Sequence, residues 1–510
     1  MGAGKSTIGQ EVAGLSGRPF VDLDREIEGR HGSVAELFER GEAEFRRIEE
    51  ELAAEVLGSS APAVIALGGG AVLSERTREL LRTHAFTVWV DVDVSDAWQR
   101  VRDSGRPLAR DETQFRRLFD ERQPLYDEVS AGLVDRTEDV LLRALQIDVE
   151  RGLLAELGTR VGESPEAVAV IGDEHVLDLH PLGFDPANVH RVPRGEAAKT
   201  PAVLDGLWNE LALDRSGTIV GYGGGSTTDV AGLAAATYMR GVRWIAVPTT
   251  LLGQVDAAIG GKTALDLTTG KNLVGAFHYP ARVVADPNVL ATLSDEQRRE
   301  GMAEVVKTGL LAGRPLWELE DEAMIRACAA FKAGICLGDP FDQGRRAILN
   351  LGHTFAHALE AAAGYDGLAH GNAVALGLLA ALRLSGLPTA SWRTDSVDSL
   401  SGCVTVAECS RPTPGCRDVQ RRRSATMGGA LRKSTRPVPK RSVRMRSGGI
   451  TATRRVERWR ERWPWSPMVT LSVRSSRSPM RVDSSCRSFE ADAPPRMILT
   501  IEASQMVLAA

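Results

Sequence analysis

The sequence predicts an α/β protein made of three successive structured parts and a tail. Brief apolar runs at 64–67 and 87–91 alternate with charged helical stretches such as 42–56, as in a parallel sheet covered by helices. A second set of strand patterns starts after residue 150, and from about Asp295 onward only helical patterns remain. The 510 residues exceed what one hydrophobic core supports and suit two or three domains.

Four segments follow from these changes of pattern. Residues 1–145 are predicted to form an α/β domain with a parallel sheet and a phosphate-binding loop, and residues 146–294 an α/β half that binds a dinucleotide. Residues 295–390 are predicted to form an all-helical half, and residues 391–510 a tail outside these folds. The second part has expected strands at 167–171, 217–220 and 244–247, and the third has expected helices at 299–311, 324–337, 345–363 and 372–384.

Composition excludes several classes of protein. Hydrophobic residues make up 43% and charged residues 25% of the chain, as in ordinary globular proteins. No apolar run approaches the roughly 18 residues of a membrane span, and no export leader is visible, so we expect a cytoplasmic protein without a membrane partner. Six cysteines without paired spacing favour a reducing compartment and argue against disulfides and a cysteine-ligated zinc.

The tail differs from the rest of the chain in charge. Residues 391–510 contain 21 Arg, 2 Lys and 10 acidic residues, a net charge of +13, whereas the whole chain carries −5. Leu, Ile and Val are sparse and no helical or strand period is sustained, so we expect disorder. A basic arm for nucleic acid is one interpretation. We prefer GC-rich DNA translated in a shifted frame and predict no nucleic-acid partner, because Arg-rich segments without aromatic platforms are weak evidence for one.

The first candidate site begins at a glycine-rich turn near the N-terminus. The run Gly2-Ala3-Gly4-Lys5-Ser6-Thr7 matches the end of a phosphate-binding loop, where small residues expose backbone N–H groups, the lysine reaches phosphate oxygens and the serine hydroxyl binds Mg²⁺. The opening glycine and first strand of such a loop would precede Met1, so we expect a truncated domain that binds ATP poorly. A flexible glycine stretch is the alternative.

Acids and arginines follow at positions that suit phosphoryl transfer. Asp22 and Asp24 end an apolar segment and are predicted to share one face of a strand, where they could serve the metal and the accepting hydroxyl. Gly69, in a triplet after a strand, lets the backbone approach a ligand. Each residue has an alternative role as a cap, a turn or a solvated charge. Three arginines in loop or helical contexts could hold anions: Arg46, Arg106 and Arg122.

Together these motifs resemble the shikimate kinases over nearly all of residues 1–130. The resemblance implies that a phosphoryl group passes from ATP to the 3-hydroxyl of shikimate. It implies that Asp24 contacts this hydroxyl as the base, that Arg106 is the lid arginine over the phosphates, and that Asp22 assists Mg²⁺ through water. The substrate site that it implies consists of Asp24, Arg46, Gly69 and Arg122.

Glycine-rich sequence also marks the second candidate site. Residues 221–229 follow a predicted strand and open a helix, where a pyrophosphate can approach the helix N-terminus. In the helical half, Glu304, His353 and His370 offer one carboxylate and two imidazoles, a set that suits a catalytic zinc with an open position. Spread over 66 residues, the three cannot be assigned from spacing alone, and a lone helical histidine is usually structural.

The runs 248–256, 260–263 and 270–273 resemble the 3-dehydroquinate synthases, so that the chain as a whole resembles a fusion of two enzymes of the shikimate pathway. The resemblance implies conversion of 3-deoxy-arabino-heptulosonate 7-phosphate to 3-dehydroquinate and phosphate. It implies NAD and zinc, or another divalent metal, as cofactors, with Glu304, His353 and His370 as the metal ligands.

The same resemblance implies roles for individual residues. His357, one turn after His353, would shuttle protons near the leaving phosphate, and Lys307 would be a further catalytic residue. Asp342 stands where the family often has a glutamate that also handles protons. Arg240 would reach the substrate from a neighbouring subunit, so a homodimer is implied. The NAD contacts would be Asp173, Glu196, Lys199, Gly224, Gly225, Asp229, Thr249, Thr250 and Lys271. The substrate contacts would be Asp256, Lys262, Asn272, Lys307, Lys332, Arg346 and Asn350.

Two alternatives stay open at this point. A glycerol-dehydrogenase-like oxidoreductase would share the glycine triplet, Asp229 and a metal in the helical half, although a substrate phosphate better explains Lys262 and Lys271. The other alternative is an inactive product of a damaged gene, because the synthase resemblance ends at about Pro388, short of the last helical segment of the family.

Overall fold

The protein is described by a computed structural model that covers residues 2–104, 107–109, 111–162, 165–186, 188–364, 368–385 and 505–509. These residues belong to one unit, which comprises residues 1–409 and 497–510. Within them, no helix is both long and apolar enough to span a membrane.

The first part forms a five-stranded parallel sheet with helices on its faces. The expected strands at 64–67 and 87–91 and the helix at 42–56 are confirmed within a few residues. The strands are β1 (Phe20–Asp22), β2 (Ala63–Ala66), β3 (Ala85–Val90), β4 (Leu133–Val134) and β13 (Gln505–Ala509), in the order β1-β2-β13-β3-β4. The helices are α1 (Lys5–Ser16), α2 (Leu23–His31), α3 (Val34–Arg40), α4 (Glu42–Leu57), α5 (Glu75–His84), α6 (Val94–Val101), α7 (Glu112–Val129) and α8 (Thr137–Ala144).

The prediction that Asp22 and Asp24 share one face of a strand is wrong. β1 ends at Asp22 and α2 begins at Leu23, which places Asp24 in the first helical turn. The cause is helix capping: the Asp22 carboxylate accepts a hydrogen bond from the backbone N–H of Arg25 at 3.4 Å and so satisfies one of the free donors of the first turn.

The second part forms a six-stranded parallel sheet, and its expected strands at 167–171, 217–220 and 244–247 are confirmed. All residues of β6 and β8 are buried, as expected for strands covered on both faces. The strands are β5 (Ile147–Val149), β6 (Val168–Asp173), β7 (Asn188–Val192), β8 (Thr218–Gly223), β9 (Arg243–Pro248) and β12 (Arg282–Ala285), in the order β5-β12-β9-β8-β6-β7. The helices are α9 (Leu157–Val161), α10 (Glu174–Leu179), α11 (Pro201–Glu210) and α12 (Gly225–Thr237).

An antiparallel hairpin that the sequence did not predict lies between β9 and β12. Its strands are β10 (Lys262–Leu267) and β11 (Gly270–Phe277), with Lys262 opposite Phe277. β11 has no buried residue, so it lacks the apolar alternation by which a strand is recognised in a sequence.

The third part is helical, as expected. Its helices are α13 (Asp295–Ala312), α14 (Asp321–Gly338), α15 (His353–Ala362) and α16 (His370–Leu384). The prediction of one helix over 345–363 is wrong, because a 3-10 turn over Arg345–Asn350 ends before α15 begins. Gly352 separates the two with a left-handed φ of 80°, which a continuous α-helix cannot contain.

The end of the chain is a third correction. The tail was expected to hold no strand, yet Gln505–Ala509 forms β13 at the centre of the first sheet. Residues 386–504, which include most of the tail, lie outside the described residues.

Candidate active sites

The phosphate loop of the first site leads directly into α1. Gly2 and Gly4 have left-handed φ values of 76° and 88°, and Lys5, Ser6 and Thr7 form the first turn of the helix. Glycine at position 4 suits this left-handed backbone, and the N–H groups that begin α1 are the donors by which a helix start binds an anion. The Ser6 hydroxyl donates to Oδ2 of Asp22 at 2.6 Å, which brings together the expected Mg²⁺ ligand and the acid expected to assist the ion through water.

Acidic and basic side chains converge on the glycine triplet after β2. A Cβ atom added to Gly68 would lie 2.5 Å from Oε1 of Glu49 and 2.8 Å from Oδ1 of Asp24, so both carboxylates reach the backbone there. Nη1 of Arg46 donates to Oε2 of Glu49 at 2.5 Å, and a Cβ atom on Gly70 would overlap the Arg46 guanidinium. These glycines allow charged side chains to approach the backbone closely.

Gly69 is held from the opposite side by α7. Nη1 of Arg122 and the hydroxyl of Tyr126 donate to the Gly69 carbonyl at 3.2 and 2.6 Å. Arg122 is buried, and burial raises the pKa of Tyr126 to about 12. The structure thus brings together Asp24, Arg46, Gly69 and Arg122, whereas Arg106 lies outside the described residues.

Sequence reasoning missed Glu49 at this site. Its side chain is 3% exposed and pairs with Arg46, although burial raises the pKa of its carboxyl. Its position three residues after Arg46 in α4 and inside an apolar helix face is the signal that could have found it.

The second site lies at a switch point of the six-stranded sheet. The chain runs from β6 outward to β7 and then returns to β8 on the other side of β6, so a crevice forms where the carboxyl ends of β6 and β8 meet. β6 ends at Asp173, and β8 ends at Gly223 just before Gly224 and the first residue of α12, Gly225. This is the position at which parallel sheets bind dinucleotides.

Asp173 caps α10 at this crevice. Its Oδ1 accepts hydrogen bonds from the backbone N–H groups of His175 and Val176 at 2.9 and 3.2 Å. On the other side of the crevice, Thr249 is buried with its hydroxyl unpartnered in the described structure, and the hydroxyl of Thr250 accepts from the backbone of Gly253 at 3.1 Å.

A buried lysine joins the hairpin to the crevice. Nζ of Lys199 donates to Oδ2 of Asp229 at 2.8 Å and to Oδ1 of Asn272 in β11. Burial disfavours the Lys199 ammonium, but the charges of Asp229 and Glu196 outweigh this effect and raise its pKa. The charge of Lys271 in turn stabilises the ionised carboxylate of Glu196. Five of the predicted NAD and substrate contacts therefore form one cluster: Glu196, Lys199, Asp229, Lys271 and Asn272.

A second charged cluster lies between α13, α14 and the turn that contains Asp256. Oδ2 of Asp256 accepts from Lys307 at 3.0 Å, and the same carboxylate pairs with Lys332, whose ammonium also donates to the Asp256 carbonyl at 2.8 Å. Burial lowers the pKa of Lys332 to about 8. Two buried cations around one carboxylate form a site that is suited to anionic oxygens.

The predicted metal ligands meet at one point. Nε2 of His353 and Nε2 of His370 lie 3.6 and 3.8 Å from Oε1 of Glu304, and the candidate ligand atoms all lie within 4.8 Å of one another. Glu304 is 1% exposed, and neither of its oxygens receives a hydrogen bond in the described structure, although Oε2 forms an ion pair with Lys307. A buried carboxylate oxygen without a donor, facing two imidazole nitrogens, fits a divalent metal.

Burial and neighbouring charges set the protonation of the two imidazoles. Burial and the Lys307 charge lower the pKa of His353 to about 3, which favours the neutral imidazole that a metal binds. Nδ1 of His353 lies 3.3 Å from the Leu351 carbonyl. For His370, burial lowers the pKa, but the hydrogen bond with Glu360 and the charge of Glu304 raise it above its usual value.

Glycines bring the three ligand-bearing helices together. A Cβ atom on Gly377 of α16 would lie 2.1 Å from the Gly352 carbonyl, and one on Gly371 would lie 2.4 Å from Cα of Glu300 in α13. With no side chains at these crossings, α16 packs directly on the backbones of α13 and α15. This close packing is the reason that residues 66 positions apart in sequence share one site.

Glu360 supports the site from behind, and the sequence analysis missed it. Its Oε1 lies 3.2 Å from Nδ1 of His370, and the carboxylate is 5% exposed. A carboxylate on the outer nitrogen of a ligating histidine orients the ring. Its position seven residues after His353 on the same helix face is the signal that could have found it. His357 lies near, with its ring 5.6 Å from that of His353, and burial lowers its pKa.

The remaining predicted residues surround these clusters or lie on the surface. Lys262 forms an ion pair with Asp342. Buried Arg346 donates to the Pro340 carbonyl at 3.2 Å. Asn350 is exposed two residues before Gly352, and Arg240 is exposed in a turn where its φ is 68°.

Comparison with known proteins agrees with the two sites. The family model for shikimate kinase matches residues 1–147, and the models for the N-terminal and C-terminal parts of 3-dehydroquinate synthase match residues 189–300 and 301–416. The 3-dehydroquinate synthase of Thermobifida fusca is 44% identical over 264 residues, which cover 47% of this chain and 71% of that protein.

Two further comparisons concern a solved structure and a fused relative. A 2-deoxy-scyllo-inosose synthase solved in complex with carbaglucose-6-phosphate, NAD⁺ and Co²⁺ is 28% identical, with a TM-score of 0.45 over 52% of this chain and 81% of that chain. The bifunctional shikimate kinase/3-dehydroquinate synthase of Thermotoga maritima is 35% identical over 413 residues, which cover 74% of this chain and 82% of that protein. The chain therefore belongs to the family of bifunctional shikimate kinase/3-dehydroquinate synthases, whose two activities serve the shikimate pathway of aromatic amino acid biosynthesis.

Proposed function

We propose that the first site phosphorylates shikimate and that the second site forms 3-dehydroquinate, with the residue roles given below. We assign residues 1–145 to the kinase, 146–294 to the NAD-binding half of the synthase and 295–390 to its metal-binding half. The convergence of Glu304, His353 and His370 on one point is the observation that carries the synthase assignment.

In the kinase site, the Asp24 carboxylate accepts the proton of the 3-hydroxyl of shikimate as this oxygen attacks the γ-phosphorus of ATP. Arg46 and Arg122 hold the substrate carboxylate, a role supported by their convergence on the glycine triplet. Lys5 and the N–H groups that begin α1 bind the phosphates. The hydrogen bond between Ser6 and Asp22 supports a shared Mg²⁺ site. We also assign the lid role over the phosphates to Arg106.

In the synthase site, bound NAD⁺ supplies reversible hydride acceptance and a bound zinc or similar divalent ion polarises the substrate hydroxyl. Glu304, His353 and His370 would hold the metal. The crevice between β6 and β8 would receive the dinucleotide, with the pyrophosphate at Gly224 and Gly225.

The charged clusters have separate tasks in this proposal. Lys262, Asn272 and Arg346 bind the phosphate and hydroxyl groups of the substrate, with Asn350 and Lys332 beside them. Lys332, with a pKa lowered to about 8, can release a proton near neutral pH, and Lys307 lies between Asp256 and the metal ligands. His357, kept neutral by burial, accepts the proton that is lost as phosphate leaves, with Asp342 assisting.

We further propose a homodimer in which Arg240 serves the site of the neighbouring subunit. Met239 and Arg240 both have left-handed φ values, 49° and 68°, and form an exposed turn. Strained surface turns of this kind persist where contacts stabilise them. Leu273 and Phe277, which lie on the same face of β11, are also 57% and 42% exposed and give the hairpin an apolar face that a second subunit would cover.

The test uses the full chain and one assay for each site. With ATP and shikimate we expect ADP and shikimate 3-phosphate in equal amounts, abolished by Asp24→Asn alone. With 3-deoxy-arabino-heptulosonate 7-phosphate and NAD⁺ we expect phosphate release without accumulation of NADH, abolished by His353→Ala alone. NADH that accumulates in step with product would instead support the dehydrogenase alternative, and a folded chain that turns over neither substrate would contradict the proposal.

A further inference from the structure

The central strand of the kinase sheet comes from the far end of the chain. β13 lies between β2 and β3 and is parallel to both. Its register is defined on each side: Met506 is opposite Val64 and opposite Phe86, and Ala509 is opposite Trp89. Among the described residues, the sheet hydrogen bonding between β2 and β3 therefore runs through a strand that is more than 400 positions away in sequence.

The position of β13 satisfies backbone groups that would otherwise be unpaired. Adjacent strands lie about 4.8 Å apart, so a space about twice that width separates β2 from β3, and only an extended segment fills it with hydrogen bonds on both sides. Each buried backbone group left without a partner costs about 1–3 kcal/mol. β2 is fully buried in the structure that contains β13, and its backbone groups on that side are paired with this strand.

Side-chain packing holds β13 in place in addition to its backbone hydrogen bonds. Met506 is 2% exposed and belongs to the hydrophobic core that contains Ala3 of the phosphate loop, Val12 of α1 and Val64. Since all strands of the sheet are parallel, β13 ends at the same edge as β1 and β3, where the Ser6–Asp22 pair and the glycine triplet lie. The strand therefore supports the edge of the sheet that carries the ATP and shikimate sites.

We propose that residues 505–509 are an intramolecular complementing strand: the C-terminus completes the kinase sheet, and kinase activity depends on it while synthase activity does not. This inference concerns the assembly of the first domain and stands apart from the residue roles proposed above. The synthase sheet takes all six of its strands from residues 147–285, so it contains no strand from the tail.

Cysteine cross-linking tests the position of the strand in the full chain. Cys403, Cys409, Cys416 and Cys486 are first replaced by Ser, which leaves the buried Cys328 and Cys336. Met506→Cys with Phe86→Cys places thiols on opposed residues, where a disulfide can form because such Cα atoms lie about 5 Å apart. The off-register control is Met506→Cys with Thr87→Cys, since Thr87 is opposite residue 507 and faces the other side of the sheet.

We expect mild oxidation to give an intrachain disulfide in the first pair and none in the control. A disulfide between two chains, equal cross-linking in both pairs, or no cross-link in either would overturn the proposal. Each of these outcomes is independent of catalysis, so it is distinguishable from a failure of the proposed function.

Truncation after Ser504 tests the consequence. We expect shikimate phosphorylation to be lost and backbone amides of 63–66 and 85–89 to exchange at least about tenfold faster, while phosphate release by the synthase is retained. A synthetic peptide of residues 505–510 should restore part of the protection. Unchanged kinase activity and unchanged amide exchange in the truncated chain would contradict the proposal. If the truncated chain is insoluble, the cross-linking result tests the proposal instead.

Discussion

Substitution of Gly352 by Ala should weaken both the fold and the metal site of the helical half. Gly352 has a φ of 80°, and an added Cβ atom would lie 2.8 Å from the backbone nitrogen of Leu378 and 3.1 Å from the Gly377 carbonyl carbon. Both atoms belong to the backbone of α16 and cannot rotate away. The helix that begins with His370 would therefore have to move from the helix that begins with His353.

The magnitude has two parts that a control can separate. A left-handed alanine costs about 1–2 kcal/mol, and overpacking against backbone costs about 1–3 kcal/mol. Gly313 provides the control, because its φ of 66° is similar and no described atom lies within 4 Å of the added Cβ. Gly313→Ala should show only the cost of the left-handed backbone. Alanine also stabilises both variants by restricting the unfolded chain, and this contribution cancels when the two variants are compared.

The assay is urea unfolding of the full chain together with zinc competition against a chromophoric chelator. We expect Gly352→Ala to be about 1–3 kcal/mol less stable than Gly313→Ala and to bind zinc more weakly, because a displaced α16 misplaces His370. Equal stability and equal zinc affinity of the two variants would refute the view that direct contact between helix backbones assembles the metal site.

Four further changes test other parts of the structure. Glu360→Gln should weaken zinc binding about 10–100-fold by loosening His370, with far-ultraviolet circular dichroism unchanged; normal affinity would mean that Glu360 plays no orienting part. Asp256→Asn should lower the free energy of unfolding by about 3 kcal/mol, because two lysines are left without their shared carboxylate. A urea midpoint equal to that of the wild type would contradict the pairing. Gly338→Ala should push α14 of the synthase away from α1 of the kinase at a cost of about 1–3 kcal/mol, because the added Cβ would lie 2.0 Å from a carbonyl oxygen of α1. An unchanged melting curve would argue against this contact. Tyr126 should make the free energy of unfolding fall as pH rises from 10 towards 12, because the unfolded phenol loses its proton near pH 10 while the folded one retains it to about 12. Tyr126→Phe should remove about 1.4 kcal/mol of this loss at pH 11. Parallel plots of stability against pH for the wild type and the variant would contradict this prediction.

Strands and charged motifs of the nucleotide-binding parts were predictable because their signals are local. A run such as 168–171 is apolar throughout, and a glycine-rich segment directly follows β8. The hairpin was missed because β11 is exposed and not alternating in burial. The break at Gly352 was missed because a glycine inside a helical pattern usually remains helical, and its left-handed backbone arises from contact with α16.

Other features depend on tertiary contacts that local patterns indicate only weakly or not at all. Glu49 and Glu360 read as surface glutamates until helix packing places them beside Arg46 and His370. The metal ligands were predictable only by resemblance, because the approach of α16 to two other helices determines their distance. β13 was unpredictable for the same reason: the space that it fills is formed by β2 and β3, far from it in sequence.

The most direct test of the account is a titration of the metal-free full chain with Co²⁺, followed by its visible absorption. We predict binding of one equivalent with the intense bands of a four-coordinate site, provided by Glu304, His353 and His370 with one open position. The bands should be lost in His353→Ala and His370→Ala. They should be kept in His357→Asn, because the His357 ring lies beside the site without belonging to the ligand set. Unchanged binding in either alanine variant, or loss of the bands in His357→Asn, would contradict the account.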